Sequence, residues 1–309
     1  MRIYDLIVVG AGPAGISAGI YAKNFGLDCL IIGEKSGGLV NGAYKVENYP
    51  GIFNVTGKEL TKRFLGHLKH LKIILKKERV EKIFKGKIFR IKTPKNEYQT
   101  KSIILAFGTE AKKLNIKNIN KFEGKGVSYR ADDSAFLYKN KIVAVVGGAN
   151  AAAMSACMIA EKAKKVYLIY RKEKLRADAI WINKLKKIKN IEVIYNTNIV
   201  GVEGKGRLEK IILDRPCTFS GKVQGKTVKV KGLLIEAGCV PDTYLIHDLG
   251  VATNDKGYIK VNKKQATNIS GIFAAGDTTA GSNEFRQIIT AAAEGALAVL
   301  GVFNFLNKK

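Results

Sequence analysis

Short runs of apolar, largely β-branched residues recur along the chain, and each leads to a glycine. Runs of this kind are typical of strands buried on both faces of a parallel sheet. Two of them continue through a glycine turn and a helix-compatible stretch into another apolar run, which is the order of a strand–helix–strand unit. The four main runs are residues 4–9, 103–109, 142–146 and 271–277. We expect the first helix to run through Phe25 and the second to about Lys162.

The turn after the first run carries a glycine pattern with a chemical reason for each glycine. Its sequence is Gly10-Ala11-Gly12-Pro13-Ala14-Gly15. Gly10 permits a tight turn, Gly12 lets a diphosphate approach the backbone, and Gly15 lets helix and strand pack closely. The following helix N-terminus offers N–H groups to phosphates. Glu34, just after the second strand (29–32), is placed to bind a ribose hydroxyl, so the sequence predicts a dinucleotide site.

Two more strand ends indicate that the nucleotide is a flavin. Gly108 follows the buried run that begins at residue 103, and Gly276-Asp277 ends the run that begins at residue 271. An aspartate in that position can accept a hydrogen bond from a ribityl hydroxyl. The helix that follows points its N-terminus at the diphosphate.

These motifs resemble the low-molecular-weight thioredoxin reductase family of FAD-dependent pyridine nucleotide-disulfide oxidoreductases, over essentially the whole chain. The matching segments are Gly10 to Gly15, Gly37-Gly38, Val46-Glu47-Asn48-Tyr49-Pro50-Gly51, Ala106-Phe107-Gly108-Thr109, Gly276-Asp277 and Arg286-Gln287. Segment 46–51 and the C-terminal pairs are far more specific than the glycine turn. The resemblance implies that FAD is bound by Gly10, Gly12, Pro13, Ala14, Gly15, Glu34, Gly38, Asn48, Val80, Gly108, Gly276, Asp277, Arg286, Gln287 and Ile288.

The order of elements predicts an α/β fold of two Rossmann-like nucleotide-binding domains of the three-layer ββα type, with the second inserted in the first. We place a discontinuous FAD domain at residues 1–116 and 243–309, and an NAD(P)-type domain at 117–242. In the family the two domains rotate, and the short linkers 115–121 and 240–242 are expected to serve as hinges.

The second glycine turn is less regular than the first. It reads Gly147-Gly148-Ala149-Asn150-Ala151, with alanine where the pattern has its middle glycine. The resemblance places NADPH or NADH at Gly147, Asn150, Ala151, Arg171, Lys172 and Arg176. Arginine side chains bind a 2′-phosphate as planar forks. Two alternatives stay open: a different reductant, such as ferredoxin or a deazaflavin, and a purely solvated role for the three basic residues.

The segment that aligns with the family's redox motif has lost its chemistry. Arg130 and Asp133 occupy the two cysteine positions, and Ser134 replaces the acid that protonates the departing thiolate. Disulfide exchange requires a thiolate, so neither substituted residue can relay electrons as a dithiol. No catalytic residue is assigned. Asp132 or Asp133 could cap a following helix, or Arg130 could support negative charge on a reduced flavin or bind an acidic acceptor.

The remaining cysteines do not restore the lost pair. Cys29, Cys157, Cys217 and Cys239 are scattered singly. Isolated cysteines are usually inert apolar residues. Cys157 is expected to pack against a sheet, and Cys239 is the least improbable redox candidate. We therefore do not expect thioredoxin reductase activity by the family mechanism.

Charge changes the picture of the partner. The 309 residues include 53 basic and 26 acidic side chains, for a formal net charge of +27. Such a field favours acidic partners and speeds encounter with them. The alternative is a lysine-rich solvated surface. No zinc-finger or aromatic-basic pattern accompanies the charge, so nucleic acid is not expected as a partner.

Other features favour a cytoplasmic enzyme without metal. The stretch 288–306 is long and apolar but contains Glu294, which favours a buried helix over a membrane span. No signal peptide is visible. His67 and His70 lie on a predicted helix without further ligands that would complete a metal site. The family resemblance implies a homodimer.

Three functions fit the sequence. The leading hypothesis is an FAD-dependent oxidoreductase that passes electrons between NAD(P)H, or another reductant, and a non-thioredoxin acceptor such as ferredoxin. The second is an NAD(P)H oxidase or flavin reductase. The third is a non-catalytic flavin-binding regulatory protein.

Overall fold

The chain forms two compact units. The computed structural model describes residues 2–129, 138–216, 218–219, 222–223 and 226–307. The first unit, here called the flanking unit, comprises Met1–Glu110 and Val240–Lys309, and the second, the inserted unit, comprises Ala111–Cys239.

A parallel five-stranded sheet forms the centre of the flanking unit. In spatial order its strands are β21 (Ile272–Ala274), β8 (Ile103–Leu105), β2 (Leu6–Val9), β3 (Cys29–Ile32) and β4 (Ile74–Lys76). Val9 is in register with both Ile32 and Leu105, so the carboxyl ends of three strands lie side by side. In open α/β sheets this is the edge at which ligands bind.

A smaller sheet covers one face of the parallel sheet. Its strands, in spatial order, are β1 (Ile3–Tyr4), β7 (Glu97–Thr100), β6 (Phe89–Lys92) and β5 (Lys82–Phe84). Along β6 the buried residues Phe89 and Ile91 alternate with exposed Arg90 and Lys92. The buried pair shares a core cluster with residues of β2 and β8. The alternation reflects one buried and one solvated face.

Helices cover the other face. These helices are α1 (Pro13–Asn24), α2 (Gly57–His70) and α6 (Ile288–Leu306), whereas the short α5 (Tyr244–His247) places Ile246 in the core cluster under the smaller sheet. Helix α2 begins at a capping box, in which Thr56 and Glu59 each bond the other's backbone N–H. Helices α1 and α6 pack together on the parallel sheet. Their crossing is close, because a β-carbon at Gly295 would overlap the carbonyl oxygen of Ala14.

In the described part of the chain, α6 is the one helix with the length and apolarity of a membrane span. Within the fold its Ala298, Val299 and Val302 have no exposed surface, and Glu294 is also buried. The core of a folded protein accounts for such a helix as well as a bilayer does.

The inserted unit repeats the three-layer arrangement. Its parallel sheet has the order β10 (Val127–Ser128), β19 (Gly232–Ile235), β11 (Ile142–Val146), β12 (Lys165–Ile169) and β13 (Ile191–Ile194). Helices α3 (Asn150–Ala160) and α4 (Ala179–Lys187) pack on one face. An antiparallel sheet of β14 (Ile199–Glu203), β15 (Lys210–Leu213) and β18 (Thr227–Lys229) packs on the other. Two further strand pairs are β9 (Thr109–Ala111) with β20 (Cys239–Pro241), at the residues where the chain passes from one unit to the other, and β16 (Thr218–Phe219) with β17 (Lys222–Val223), within the inserted unit.

Most predicted elements are present, with one difference in the first strand. The sequence predicted a single strand over residues 4–9, but the structure breaks it at Asp5. Tyr4 pairs with Thr100 in the smaller sheet, whereas Leu6 pairs with Cys29 in the parallel sheet. The Asp5 carboxylate accepts the backbone N–H of Asp28 at 3.1 Å, which stabilises the crossing between layers.

The helix predictions hold to within two residues. Helix α1 ends at Asn24, against the predicted Phe25, and Gly26 follows with a φ of 72°. Helix α3 ends at Ala160, against about Lys162. The two domains of the predicted α/β fold are both present, each with a parallel sheet that has helices on one face and an antiparallel sheet on the other.

Candidate functional site

The first glycine turn joins β2 to α1 and is shaped by close backbone contacts. Gly10 has a φ of 122°, and a β-carbon there would overlap the carbonyl oxygen of Ala106. A β-carbon at Gly15 would overlap the carbonyl oxygen of Gly10. At Gly12, by contrast, nothing lies within 4 Å of where a β-carbon would be. The turn is therefore tightly packed at Gly10 and Gly15 and open at Gly12.

The open side of this turn is the N-terminus of α1. Gly12 is the N-cap, Pro13 is the first helical residue, and no side chain caps the helix. Its N–H groups are thus left for another acceptor, and a helix N-terminus favours an anion. Gly38 lies next to Gly12, since a β-carbon at Gly38 would be 3.3 Å from the α-carbon of Gly12. The exposed Glu34 follows β3 at the same edge of the sheet.

A second group of predicted residues meets at the start of α6. Asn48 Nδ2 donates to Gln287 Oε1 at 3.0 Å. Ile288 packs against the small core cluster that contains Val46 and Val55. The family-specific segment 46–51 and the C-terminal motif, remote in sequence, thus form one place in the fold.

Asp277 and Arg286 form the charged part of this region. Burial raises the pKa of the Asp277 carboxyl, Arg286 opposes the shift, and Glu294 adds to it. The Arg286 guanidinium carbon lies 3.8 Å from the centre of the Tyr258 ring, a stacking arrangement. Its Nε and Nη2 are buried and have no hydrogen-bond partner among the described residues.

Orphaned polar atoms mark the same segments. Side-chain groups that are buried without a hydrogen-bond partner in the described part of the chain include Ser36 Oγ, Thr109 Oγ1, Thr278 Oγ1 and the two Arg286 nitrogens. Each of these five atoms belongs to, or adjoins, a segment predicted to bind FAD, whereas Thr61 Oγ1 and Gln265 Oε1, which are also buried and unpaired in the described part of the chain, lie outside those segments. Buried polar groups are nearly always paired in complete structures. These atoms and the open turn at Gly12 fit a large polar ligand such as FAD.

Three predicted FAD residues are placed without a contact that joins them to the turn. Gly108 follows β8 with a φ of 71° and open space around a β-carbon position. Val80 is buried in the core between the two sheets. Glu34 is exposed, as noted above. Their roles stay predictions.

The second glycine turn joins β11 to α3. Gly147 has a φ of 147°, and a β-carbon there would overlap the carbonyl oxygen of Glu236. Ala149 is the N-cap of α3 with a φ of −104°, a conformation open to any residue. The substitution of the middle glycine therefore leaves the backbone unstrained. Asn150 donates through Nδ2 to Asp178 Oδ2 at 2.7 Å and accepts the Asp178 N–H at 2.7 Å.

The basic residues after β12 lie close to this turn. The backbone N–H of Arg176 donates to the Gly148 carbonyl at 2.6 Å. Its Nε donates to the Tyr170 hydroxyl at 3.1 Å. The Tyr170 ring occupies the space that a β-carbon at Gly148 would need. Arg171 and Lys172 are exposed beside it, whereas Ala151 is exposed on the first turn of α3.

The two turns differ in the charge that follows the second strand. Ile32 is in register with Val9, and Ile169 is in register with Val146. Two residues further on, the first unit has Glu34 and the second has Arg171. Acidic residues at this position bind a ribose hydroxyl, whereas arginine accommodates a 2′-phosphate.

Two of the three described cysteines are poorly suited to redox chemistry. Desolvation raises the pKa of Cys29 to about 12 and that of Cys157 to about 11. Cys29 lies in β3 and Cys157 is buried in α3, as predicted. A thiol with so high a pKa is a poor nucleophile at neutral pH. Cys239 is exposed in β20. Arg130, Asp132, Asp133, Ser134 and Cys217 lie outside the described residues.

Comparison with known proteins decides the family. The model of the pyridine nucleotide-disulphide oxidoreductases matches residues 4–295. The chain belongs to this family. Its members bind FAD and a pyridine nucleotide, so the cofactor classes predicted from the sequence are confirmed. As a pyridine nucleotide-disulphide oxidoreductase the protein is an enzyme of the oxidoreductase class.

Individual relatives in this family are similar over nearly their whole length. The thioredoxin reductase of Listeria monocytogenes is 35% identical over 300 residues, or 96% of this chain and 92% of the relative. The thioredoxin reductase structure from T. acidophilum is 32% identical, with 98% and 99% of the two chains covered and a TM-score of 0.91. A ferredoxin-flavin thioredoxin reductase from Clostridium acetobutylicum is 31% identical, with 99% and 98% covered and a TM-score of 0.54.

Sequence reasoning missed three residues of these sites. Tyr258 and Tyr170 hold Arg286 and Arg176, and both contacts depend on tertiary packing that no motif records. Glu294 had a signal, because it is the one charged side chain in the 19 residues of α6. Among the described residues no cluster of three His, Cys, Asp or Glu side chains could hold a metal ion.

Proposed function

We propose that the protein is an FAD-dependent oxidoreductase that passes electrons between NAD(P)H, or another reductant, and a non-thioredoxin acceptor such as ferredoxin, without a redox-active disulfide. The observation that carries the proposal is the cysteine pattern. The four cysteines stand singly in the sequence, the resemblance places Arg130 and Asp133 at the family's cysteine positions, and desolvation raises the thiol pKa of both Cys29 and Cys157. Without a dithiol, the flavin must pass its electrons to an acceptor that needs no dithiol relay.

In this proposal the flanking unit holds FAD. The α1 N-terminus at Gly12, Pro13 and Ala14 binds the diphosphate, and Asp277 orients the ribityl chain. When bound, FAD accepts electrons in pairs and releases them in pairs or singly, which suits both a nicotinamide and an iron–sulfur partner. Gln287, held by Asn48, and the Arg286 guanidinium, stacked on Tyr258, keep the start of α6 in one position.

The inserted unit supplies the nicotinamide site. The Arg176 backbone is bonded to the glycine turn, and its side chain is fixed by Tyr170, so one guanidinium is pre-positioned. Arg171 occupies the position at which Glu34 stands in the first unit, which favours a 2′-phosphate. We therefore propose NADPH over NADH.

The proposal of ferredoxin as the acceptor is supported by the charge of the protein. A net charge of +27 attracts acidic proteins such as ferredoxins, and salt weakens the attraction. The name of the C. acetobutylicum relative pairs ferredoxin with thioredoxin reduction, which supports ferredoxin as an alternative reductant for this fold and not as its acceptor. We further propose a cytoplasmic homodimer.

Anaerobic reduction followed by reoxidation tests the function. The holoprotein is mixed with NADPH, NADH or reduced ferredoxin while the flavin absorbance is followed. It is then reoxidised with oxidised ferredoxin, with air or with oxidised thioredoxin. Fast reoxidation by ferredoxin that slows as salt rises is the expected result.

Three other outcomes contradict the proposal. Turnover with thioredoxin at ordinary enzymatic rates would show that the protein has thioredoxin reductase activity. Fast reoxidation by air alone would favour an NAD(P)H oxidase. A flavin that no reductant bleaches would favour a non-catalytic flavin protein.

A further inference from the structure

Glu294 is a buried carboxylate in the middle of α6 that the nucleotide motifs do not account for. Its side chain is 4% exposed. Three neutral groups donate to it: the Gly276 N–H to Oε2 at 2.8 Å, the Thr279 hydroxyl to Oε2 at 3.0 Å, and the Ser282 hydroxyl to Oε1 at 2.5 Å. Buried acids persist in proteins when such donors compensate for lost water.

All three donors belong to one turn, residues 276–282, which connects β21 to the segment before α6. The turn and its continuation have a backbone that needs support. Gly276 has a φ of 80°, and Ser282, Asn283 and Glu284 have φ values of 47°, 52° and 61°. Successive left-handed non-glycine residues are costly and persist only where their surroundings hold them. Lys256 Nζ holds the outer end through both Glu284 oxygens at 2.9 Å, and Glu294 holds the inner end.

The position of Glu294 is itself fixed by close packing. The next residue, Gly295, lets α6 approach Ala14 of α1. A β-carbon at Gly281 would lie 2.6 Å from Glu294 Oε1, and one at Gly276 would lie 2.8 Å from the β-carbon of Ala14. The turn, α1 and α6 therefore pack together around this carboxylate. Because the carboxylate is fixed and accepts three hydrogen bonds from the turn, it sets the position of the turn.

We propose that Glu294 is a positioning residue of the flavin site, which fixes the 276–282 turn and so places the Asp277 carboxyl for FAD. The inference rests on the proposed function, since it assumes that this turn binds FAD. Asp277 is the residue after Gly276, whose backbone N–H donates to Glu294. Electrostatic contact between the two acids also contributes to the raised pKa of Asp277.

The test compares FAD affinities of full-length apoprotein variants, measured by quenching of flavin fluorescence. E294Q keeps an oxygen for Gly276 and Thr279 and an amide for Ser282, so its Kd should stay within about threefold of the unsubstituted protein. E294L offers no acceptor and should bind FAD roughly tenfold or more weakly, with an altered visible flavin spectrum. In a D277A background, E294L should raise the FAD Kd by less than about a further twofold, because Glu294 affects FAD binding by positioning Asp277.

Two controls separate positioning from general stability. V302A removes buried volume from the same helix away from the turn, and should lower the Tm without changing the FAD Kd. If E294L does not fold, the double variant T279V/S282A removes two of the donors from the other side. It should weaken FAD binding by about threefold or more.

The outcomes distinguish the two levels of proposal. If the unsubstituted apoprotein takes up no FAD, the proposed function fails. The present inference is overturned if that protein binds FAD and E294L, or T279V/S282A when E294L is unfolded, binds it equally well. It is also overturned if E294L has its full effect in the D277A background.

Discussion

Asn48 and Gln287 are hydrogen-bonded at 3.0 Å although they stand 239 positions apart in the sequence. The first lies in the segment 46–51 and the second is the N-cap of α6. Each belongs to a motif assigned to FAD by resemblance, and the bond joins the two motifs directly. It therefore offers a way to test whether they act as one site.

A double-mutant cycle measures this coupling. N48A and Q287A should each weaken FAD binding by roughly fivefold, because either change removes the bond and frees its partner. The double variant should lose less than the product of the two, with a coupling energy on the order of 1 kcal/mol. Equilibrium FAD titration supplies the values. N24A, an exposed asparagine at the end of α1, is the matched control, and strict additivity would show that the motifs act separately.

The two glycines of the first turn should respond differently to alanine. At Gly12 a β-carbon meets nothing within 4 Å, so G12A should leave the Tm of the apoprotein unchanged within about 2 °C. It should still weaken FAD binding by about tenfold or more, because the methyl group occupies the diphosphate's approach. G15A should lower both stability and affinity, since its β-carbon overlaps Gly10. Calorimetry and FAD titration together check the pair, and normal FAD binding by G12A would place the diphosphate elsewhere.

Arg171 should decide the choice between NADPH and NADH. R171A should weaken NADPH binding by roughly tenfold and leave NADH binding nearly unchanged, because a lost fork acts on the 2′-phosphate alone. Isothermal titration of the holoprotein measures both affinities. K174A, an exposed cation in the same loop, should change neither preference. Equal losses for the two nucleotides would mean that Arg171 acts only through general charge.

The Asp277 carboxyl predicts a pH-dependent stability. Its pKa in the folded protein is raised above 3.8 because burial disfavours the charged form. The folded apoprotein therefore holds this proton more tightly than the unfolded chain does. Its stabilising effect is complete below 3.8 and is lost as pH rises through the raised value. D277N removes the titration, so the Tm difference between D277N and the unsubstituted apoprotein should grow in favour of D277N from pH 4 to pH 7.

The same substitution should weaken FAD binding, since the charged acceptor for a ribityl hydroxyl becomes a neutral amide. Thermal scans across the pH range check the stability, and FAD titration checks the affinity. A Tm difference that does not change with pH would show that Asp277 titrates alike in both states.

Restoring the missing pair should restore a dithiol relay. R130C/D133C places two cysteines at the positions that the resemblance assigns to the family's redox pair, and should reduce thioredoxin at least about tenfold faster than the unsubstituted protein. R130C alone supplies one thiol and should show no such gain. Thiol titration before and after NADPH, together with insulin-coupled thioredoxin reduction, makes the comparison. No gain in the double variant would mean that more than the cysteines has been lost.

Local pattern was enough to predict the elements around each turn. Gly10 and Gly147 both need a positive φ beside a neighbouring carbonyl, and the motif encodes this requirement directly. The break at Asp5 was missed because an apolar run does not show which of two sheets each residue joins. The Tyr170–Arg176 and Tyr258–Arg286 contacts were missed because tyrosine has no fixed spacing to the arginine that it holds.

By itself the sequence determined the two glycine turns, the buried parallel strands and the family, and it showed four cysteines that stand singly. These depend on residues adjacent in the chain, where sterics and hydrophobic periodicity act locally. Only the tertiary structure decided that Asn48 meets Gln287, that Gly12 faces open space while Gly15 does not, and that Glu294 binds the turn beside Asp277. Those relationships arise from long-range packing, because a side chain's partner is set by where the strands and helices carry it.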